Sequence, residues 1–518
     1  MARLLVLVPG IQSKPADYDP LLARLKEDSA WREDTIVAPW DHRTSIFGRK
    51  HLLQVAKNLA LFIKAQWAVN HGFDDVVLVG HSMGAMLVRQ AYLIGLGSSA
   101  NEMDCMAWAS RVSRIVLLSG LNRGVTLLWW EKLLLPLVVS RHGSLRDLLE
   151  GSDFITNLRI WWLRKLERME KRPVVVQVLG AQDERVQESD SLDIERFEEG
   201  HQYQIDDVGH RDVYFPDKNG EFRPLQYEIL SMAILKPIED QASAAVSMDA
   251  SKKVYFLVHG IRDNNDDWVA AMKTLLEESI PGCVLIEPSI GRFSALQFLL
   301  PFERRRYVRW FQNVYSQKLA QYPLASLNFV GHSYGTYLLG YGLRHLSGMT
   351  FDRVYLGGSV LPAEWEWDGH RSQVQEVRNA CGAHDVPVGL LCSALRGLRM
   401  TDIGTAGYTG FRVPFDAKSE VHYYPGGHGA AVSKAARRDI VGFLRDGCVH
   451  ECSALVKGDA GFATLSAGVK LLLPLLLGLY LMLIVASIFY PPLHEATKWL
   501  VMALTGFLVL LIGVTAFI

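Results

Sequence analysis

At 518 residues the chain exceeds what one hydrophobic core ordinarily serves, so two catalytic-size domains fit its length. Its 54 Lys and Arg stand against 55 Asp and Glu, a formal net charge of -1, which removes the electrostatic case for nucleic acid because phosphate binding needs a concentrated basic face. Six cysteines are scattered without a CxxC pair, only Cys448 and Cys452 standing close, so neither a zinc site nor a disulfide framework is indicated, no metal or cofactor is expected, and a reducing compartment fits.

The chain opens on an apolar run, LLVLVPG, too short for the core of a secretory signal and suited to a first core strand ending at Gly10. DYDPLLARLKED then reads as a helix, TIVAPW as a short strand and LLQVAKNLALFIKAQWAVN as an amphipathic helix. Residues 76–85, VVLVGHSMGA, are the centre of this half. Four apolar β-formers run into a tight turn carrying Ser82, and the helix-like MLVRQAYLIG follows. In a GxSxG elbow the serine sits on a strained strand-to-helix bend, and the flanking glycines, Gly80 and Gly84, leave room for the close backbone approach that the bend demands. RIVLLSG and PVVVQVLG supply two further strands. Strands alternating with helices predict a parallel sheet covered on both faces. Between those last strands lies an insertion, residues 121–172, with tryptophan pairs at 129/130 and 161/162 that suit either mutual burial or a lipid-facing cap.

Residues 237–252 lose aromatics and gain Ala, Ser and charge, as a linker does. The pattern then repeats. VYFLVHG ends at Gly260, WVAAMKTLLEES is a helix, CVLIEPS a strand, and LNFVGHSYG delivers Ser333 between Gly331 and Gly335 into TYLLGYGLRHL. The elbow serine follows the first-strand glycine by 72 residues in the first half and 73 in the second, a shared register that indicates internal duplication. In the second half PFERRRYVRWFQNVY packs four arginines among aromatics, which suits either a solvated helix face or anionic head groups.

A serine hydroxyl needs an imidazole to take its proton, and the imidazole needs a carboxylate to hold its tautomer. The strands VVVQVLG and VQEVRNACG each run into the form GAxDxxV, offering Asp183 and Asp385, with Glu184, Asp190 and Asp402 as substitutes. Downstream, a histidine directly after glycine recurs as His210 and His428. His81 and His332, inside the elbows, are better placed to support the nucleophile than to act as base. Two backbone N–H donors complete such a site, one after each serine (Met83, Tyr334) and one from each first-strand turn (Ile11, Ile261), with Gln12 and Arg262 as neighbours.

Elbow, acid and histidine in this order resemble the α/β-hydrolase superfamily over about residues 3–236 and 253–446, and SGLNRG resembles the lipase and GPI-inositol deacylase branch in the first unit. The first unit has Pro9-Gly10 where the superfamily often shows His-Gly, as at His259-Gly260. The resemblance implies two tandem α/β-hydrolase domains, 1–236 and 253–450, each a mostly parallel sheet flanked by helices. After a linker at 451–470, two charge-free runs, 471–490 and 499–518, are each long enough to span a bilayer and predict a transmembrane hairpin. Arg437, Arg438, Arg445, Lys457 and Lys470 precede it, against Lys498 and Glu495 in the connector, which places the large domains in the cytosol. The expectation is a membrane-anchored serine hydrolase acting on ester bonds, foremost those of lipids, with the bilayer and an acyl ester as partners. A thioesterase, acyltransferase or peptidase using the same triads, or a catalytically silent binding or membrane-assembly fold, remains open.

Overall fold

The computed structural model describes residues 2–11, 13–45, 48–97, 105–125, 142–183, 199–236, 252–261, 268–288, 295–447 and 455–489. The chain divides into two compact units, residues 1–248 with 312–323, and residues 249–311 with 324–518.

The first unit is built on β1 (Arg3–Val8), β2 (Thr35–Pro39), β3 (Asp75–His81), β4 (Val112–Leu118), β5 (Val174–Gly180) and β6 (Gly200–Ile205), ordered β2-β1-β3-β4-β5-β6. Every pairing is parallel, with Leu7 opposite Val79 and Val8 opposite Gly80. Parallel strands need helical crossovers, and helices on both faces bury every residue of a central strand, which is why VVLVG reads as an unbroken apolar run. α1 (Asp19–Lys26) lies on one face, α2 (Leu52–Val69) and α3 (Met83–Gly95) follow, then α4 (Asp153–Glu167) and α5 (Pro224–Ile234). Alternate strand residues (Leu5, Leu7, Val77, Val79, Val116, Leu118, Val176, Val178) join Leu21 and Leu25 of α1 and Leu230 and Ala233 of α5 in one core, following the period of two along each strand. All thirteen residues of α3 are buried, so the helix behind the elbow is fixed on every side.

The second unit repeats this plan. Its strands β7 (Lys253–Val258), β8 (Val284–Ile286), β9 (Ser326–His332), β10 (Phe351–Gly357), β11 (Val374–Gly382) and β12 (Val421–Tyr424) form a parallel sheet ordered β12-β11-β10-β9-β7-β8. Numbered from its own first strand this is the order of the first sheet, so the duplication read from spacing extends to topology. α6 (Trp268–Ser279), α7 (Tyr334–His345) and α8 (Lys434–Asp446) flank it, and Trp268, Met272, Ile440 and Phe443 pack on Tyr255, Leu257 and Val330. Two α/β units in tandem, each with a six-stranded parallel sheet, match the fold class that the sequence implies.

Several expectations change. Of the insertion at 121–172, residues 126–141, with Trp129 and Trp130, lie outside the described residues. Trp162 is fully buried on α4, its ring 4.4 Å beneath the Arg89 guanidinium, so this member of the pairs is core rather than a lipid-facing surface. Arg304, one of the four clustered arginines, is likewise fully buried and forms a bidentate pair with Asp402 at 2.9 and 2.8 Å. It belongs neither to a solvated face nor to a head-group site. The linker at 237–252 is described only at its last residue.

The segment expected to be a linker at 451–470 turns helical at Ala460, and α9 (Ala460–Phe489) runs unbroken through residue 489. Among the described residues no helix is long and apolar enough to cross a membrane; several side chains of the run from 471 and the whole second run, 499–518, lie outside them. The root of α9 packs on the second unit, where Ser466 donates to the Gly389 carbonyl and the Phe462 ring meets Tyr408 at 5.0 Å and His384 at 6.0 Å.

Candidate active sites

Both serines stand at the junction of a central strand and the helix behind it, in a conformation that side chains resist. Ser82 has φ 52° and ψ -117°, Ser333 φ 54° and ψ -119°. These angles fall in the region that the first central residue of a type II′ turn reserves for glycine. The flanking glycines explain how the bend closes. A Cβ on Gly80 would lie 2.4 Å from the Gly84 carbonyl oxygen, and one on Gly84 would lie 2.3 Å from that of Val8; Gly335 meets the Val258 oxygen at 2.4 Å in the same way. None of the three positions accepts a larger residue without moving backbone.

In the first unit the structure brings the three sequence-selected side chains together. His210 places Nε2 2.9 Å from Ser82 Oγ and Nδ1 2.8 Å from Asp183 Oδ2. Asp183 follows β5 and His210 follows β6, so two neighbouring strands aim their loops at the elbow on β3. The Asp183 side chain is fully buried, which leaves its oxygen to the imidazole rather than to water. Glu184 and Asp190 lie outside the described residues.

In the second unit His428 Nδ1 meets Asp385 Oδ2 at 2.8 Å, but among the described residues no hydrogen bond joins His428 to Ser333. Asp385 has further donors. Its Oδ1 accepts the Val388 amide at 2.9 Å, and its Oδ2 also accepts the thiol of Cys381 at 3.1 Å. Burial opposes the charge of this carboxylate, yet the hydrogen bond and positive field from His428, with the Val388 and Cys381 donors, outweigh it and hold the carboxyl below its ordinary range. Burial, then the neighbouring Asp385, pushes the Cys381 thiol upward, so it stays protonated and donates. Asp402 is engaged by Arg304 and Tyr337.

The turns expected to supply the second oxyanion donor lie against the serines. A Cβ on Gly10 would stand 3.0 Å from Ser82 Cβ, and one on Gly260 would stand 3.2 Å from Ser333 Oγ. Ile11 and Ile261 are the next residues along, while Met83 and Tyr334 open their helices, where first-turn amides have no intrahelical acceptor. Gln12 and Arg262 lie outside the described residues.

The elbow histidines support the histidine loops. His81 Nε2 meets the carbonyl oxygen of His210 at 3.0 Å, and His332 Nε2 meets that of His428 at 3.1 Å. Burial brings His81 down to about 3, so its ring is neutral and donates through Nε2. Sequence reading set these two apart from the base because of their place in the elbow, and their carbonyl contacts give that place a physical content. It did not single out Cys381 or His42. For Cys381 the available signal was its position one residue before the glycine of GAxD; for His42 there was none. Among the described residues no cluster of His, Cys, Asp and Glu could hold a metal ion.

No family model matches the chain, and no curated protein matches it. Solved structures similar to it include the phospholipase PlaB of Legionella pneumophila in complex with thio-NAD, at 17% identity and TM-score 0.25 over 35% of this chain and 38% of that one. They also include a thermophilic esterase of Thermogutta terrifontis with propionate bound (14%, TM-score 0.30, 46% and 86%) and a lipase-esterase related protein of Clostridium acetobutylicum (16%, TM-score 0.27, 44% and 93%). The chain spans well under half of the phospholipase's length, and similarity at this level says nothing of substrate. The fold stands on the topology of each unit.

Proposed function

We propose that this chain is a tandem serine hydrolase of ester bonds, with Ser82 and Ser333 as nucleophiles, His210 and His428 as bases, and Asp183 and Asp385 as the carboxylates that orient them. One observation carries the reading: His210 bridges Ser82 Oγ and Asp183 Oδ2 in a single line of hydrogen bonds. In that arrangement Ser82 Oγ attacks the ester carbonyl as Nε2 takes its proton, and Asp183 stabilises the imidazolium through Nδ1–H. The oxygen that gains charge is met by the amides of Ile11 and Met83. Nε2–H then protonates the departing alcohol, leaving an acyl-serine, and a water activated by the same nitrogen releases the acid and restores the serine.

Lipid esters are the favoured substrate. The motive is tethering: charge-free runs at 471–490 and 499–518 would anchor the chain as a hairpin and raise the effective concentration of acyl chains at both sites. The basic residues before the first run favour hydrolase units on the cytosolic side.

A fluorophosphonate probe tests the nucleophiles. Wild type labels at both serines, Ser82→Ala and Ser333→Ala lose one site each, and equal labelling of wild type and the double variant refutes the proposal. Because among the described residues no hydrogen bond joins His428 to Ser333, Ser82 labels faster. Phospholipid vesicles, acyl thioesters and peptides, each with product analysis, then separate the bond classes; exclusive peptide cleavage rejects the lipid assignment.

A further inference from the structure

The two units differ at the turn beside the nucleophile, where Pro9 of the first stands against His259 of the second. In the second unit His259 Nδ1 lies 2.9 Å from the carbonyl oxygen of Gly260, the residue that precedes Ile261. Proline offers no such group. The first unit nevertheless has an imidazole at the same oxygen, because His42, from the segment after β2, places Nε2 3.1 Å from the Gly10 carbonyl.

The donor is identifiable from the ring's other nitrogen. His42 Nδ1 accepts the Thr44 amide at 3.0 Å, so it carries no proton, and the ring proton sits on Nε2, where it donates to Gly10. The Thr44 hydroxyl closes the loop by donating to the His42 carbonyl at 2.9 Å. The ring is buried, and burial lowers its basicity, which preserves the neutral one-proton form. The corresponding stretch of the second unit, residues 287–293 (EPSIGRF), contains no histidine. The imidazole has changed its place in the chain while keeping its target.

That target matters because a trans peptide is planar, with the carbonyl of one residue and the N–H of the next pointing in opposite directions. A donor that holds the Gly10 oxygen therefore fixes the direction of the Ile11 N–H. The Ser13 amide also donates to this oxygen, at 3.1 Å, so the peptide is held from two sides. The turn has no slack beneath it: a Cβ on Gly10 would meet His81 Nδ1 at 2.6 Å as well as Ser82 Cβ.

We propose that His42 is a positioning residue for the first active site, orienting the Ile11 amide toward the developing oxyanion through the Gly10 carbonyl, as His259 does for Ile261 in the second. The proposal deepens the serine-hydrolase reading and rests on it.

The test uses the full-length chain carrying Ser333→Ala, so that only the first site reports, with His42→Ala, His42→Gln and the pair Pro9→His/His42→Ala added. The rate and saturation of fluorophosphonate labelling separate the bond-forming step from initial binding without requiring the natural substrate. Loss of an oxyanion donor costs about 10²–10³ in rate, and a donor left in place but misaimed costs less, about 10–10². His42→Ala is expected to lower the maximal labelling rate by that factor with half-saturation unchanged. His42→Gln, whose amide can donate to the same oxygen, recovers most of the rate, and Pro9→His restores part of it.

An unchanged maximal rate in His42→Ala overturns the proposal. So does a loss confined to half-saturation, or a loss that His42→Gln shares in full. Should His42→Ala fail to fold, the Gln variant decides: a maximal rate within threefold of the parent supports the proposal and a fall of tenfold or more overturns it. Failure of the underlying reading looks different, since Ser82→Ala in the same background would then label like its parent.

Discussion

The elbow makes a stability prediction that separates backbone strain from chemistry. Ser82→Ala and Ser82→Gly both delete the nucleophile and leave His210 with the same lost partner, but alanine keeps a Cβ at φ 52° and ψ -117° while glycine does not. A residue held in such a region stores about 1–3 kcal/mol. Glycine releases that strain and returns about 0.5–1 kcal/mol through the greater freedom of the unfolded chain. The glycine variant should therefore be more stable than the alanine variant by about 0.5–2 kcal/mol, or about 1–8 °C in Tm for a domain of this size. Melting of the full-length protein in detergent, read by hydrogen exchange in β1 and β3, gives the comparison within the first unit. Neither variant should label at position 82. The reasoning fails if glycine is no more stable than alanine, and Ser333→Gly against Ser333→Ala must give the same sign, because the second elbow has matching angles.

Other expectations follow from single contacts. Asp28 links α1 to α5, accepting from Ser231 at 2.6 Å and Tyr227 at 3.0 Å. Burial opposes its charge, but those bonds, the Ala30 amide and Lys236 bring the carboxyl down to about 2 from 3.8. The folded pKa is the lower one, so this stabilisation, about 2 kcal/mol, is present above pH 4 and disappears as pH falls toward 2. Asp28→Asn should cost that amount at pH 7 in urea unfolding, with the gap to wild type closing over pH 4 to 2; a pH-independent gap would contradict it. His81→Phe removes the donor to the His210 carbonyl and leaves that oxygen unpaired, a cost of about 1–2 kcal/mol. Labelling at Ser82 should slow about tenfold with Ser333 unaffected, whereas equal slowing at both sites would point to a general folding defect. Cys381→Ala withdraws one donor from Asp385 and should slow labelling at Ser333 by about 3–10-fold, with Cys381→Ser restoring it. No change in either variant would show the thiol contact to be incidental.

The parts of each site carried by short, local rules were legible in the chain. GxSxG fixes an elbow because only glycine lets β1 and the following helix approach so closely, and the clashes at Gly80 and Gly84 with neighbouring backbone are the physical form of that rule. The GAxD and Gly-His patterns placed Asp183, Asp385, His210 and His428 on the loops after β5, β6, β11 and β12, because each acts at the end of its own strand. Other features were illegible for equally concrete reasons. β6 and β12 are edge strands, half-exposed and mixed in polarity, with no apolar run to announce them. β10 went unread although its second half is fully buried. Trp162 and Arg304 carry ordinary surface-cap and basic-helix signatures until Arg89 and Asp402 are seen to meet them.

The amino-acid order by itself determined that this protein holds two copies of one strand-elbow-acid-histidine plan and in what sequence the reactive groups appear, because each motif is a constraint between residues a few positions apart. Tertiary structure alone decided which imidazole reaches which oxygen. It joined His210 to Ser82 and His428 to Asp385, and it set His42 on the Gly10 carbonyl across 32 residues of chain. Contacts of that kind depend on how loops from separate strands converge at one end of a sheet. A single ångström there separates a hydrogen bond from a gap, and no local pattern specifies it.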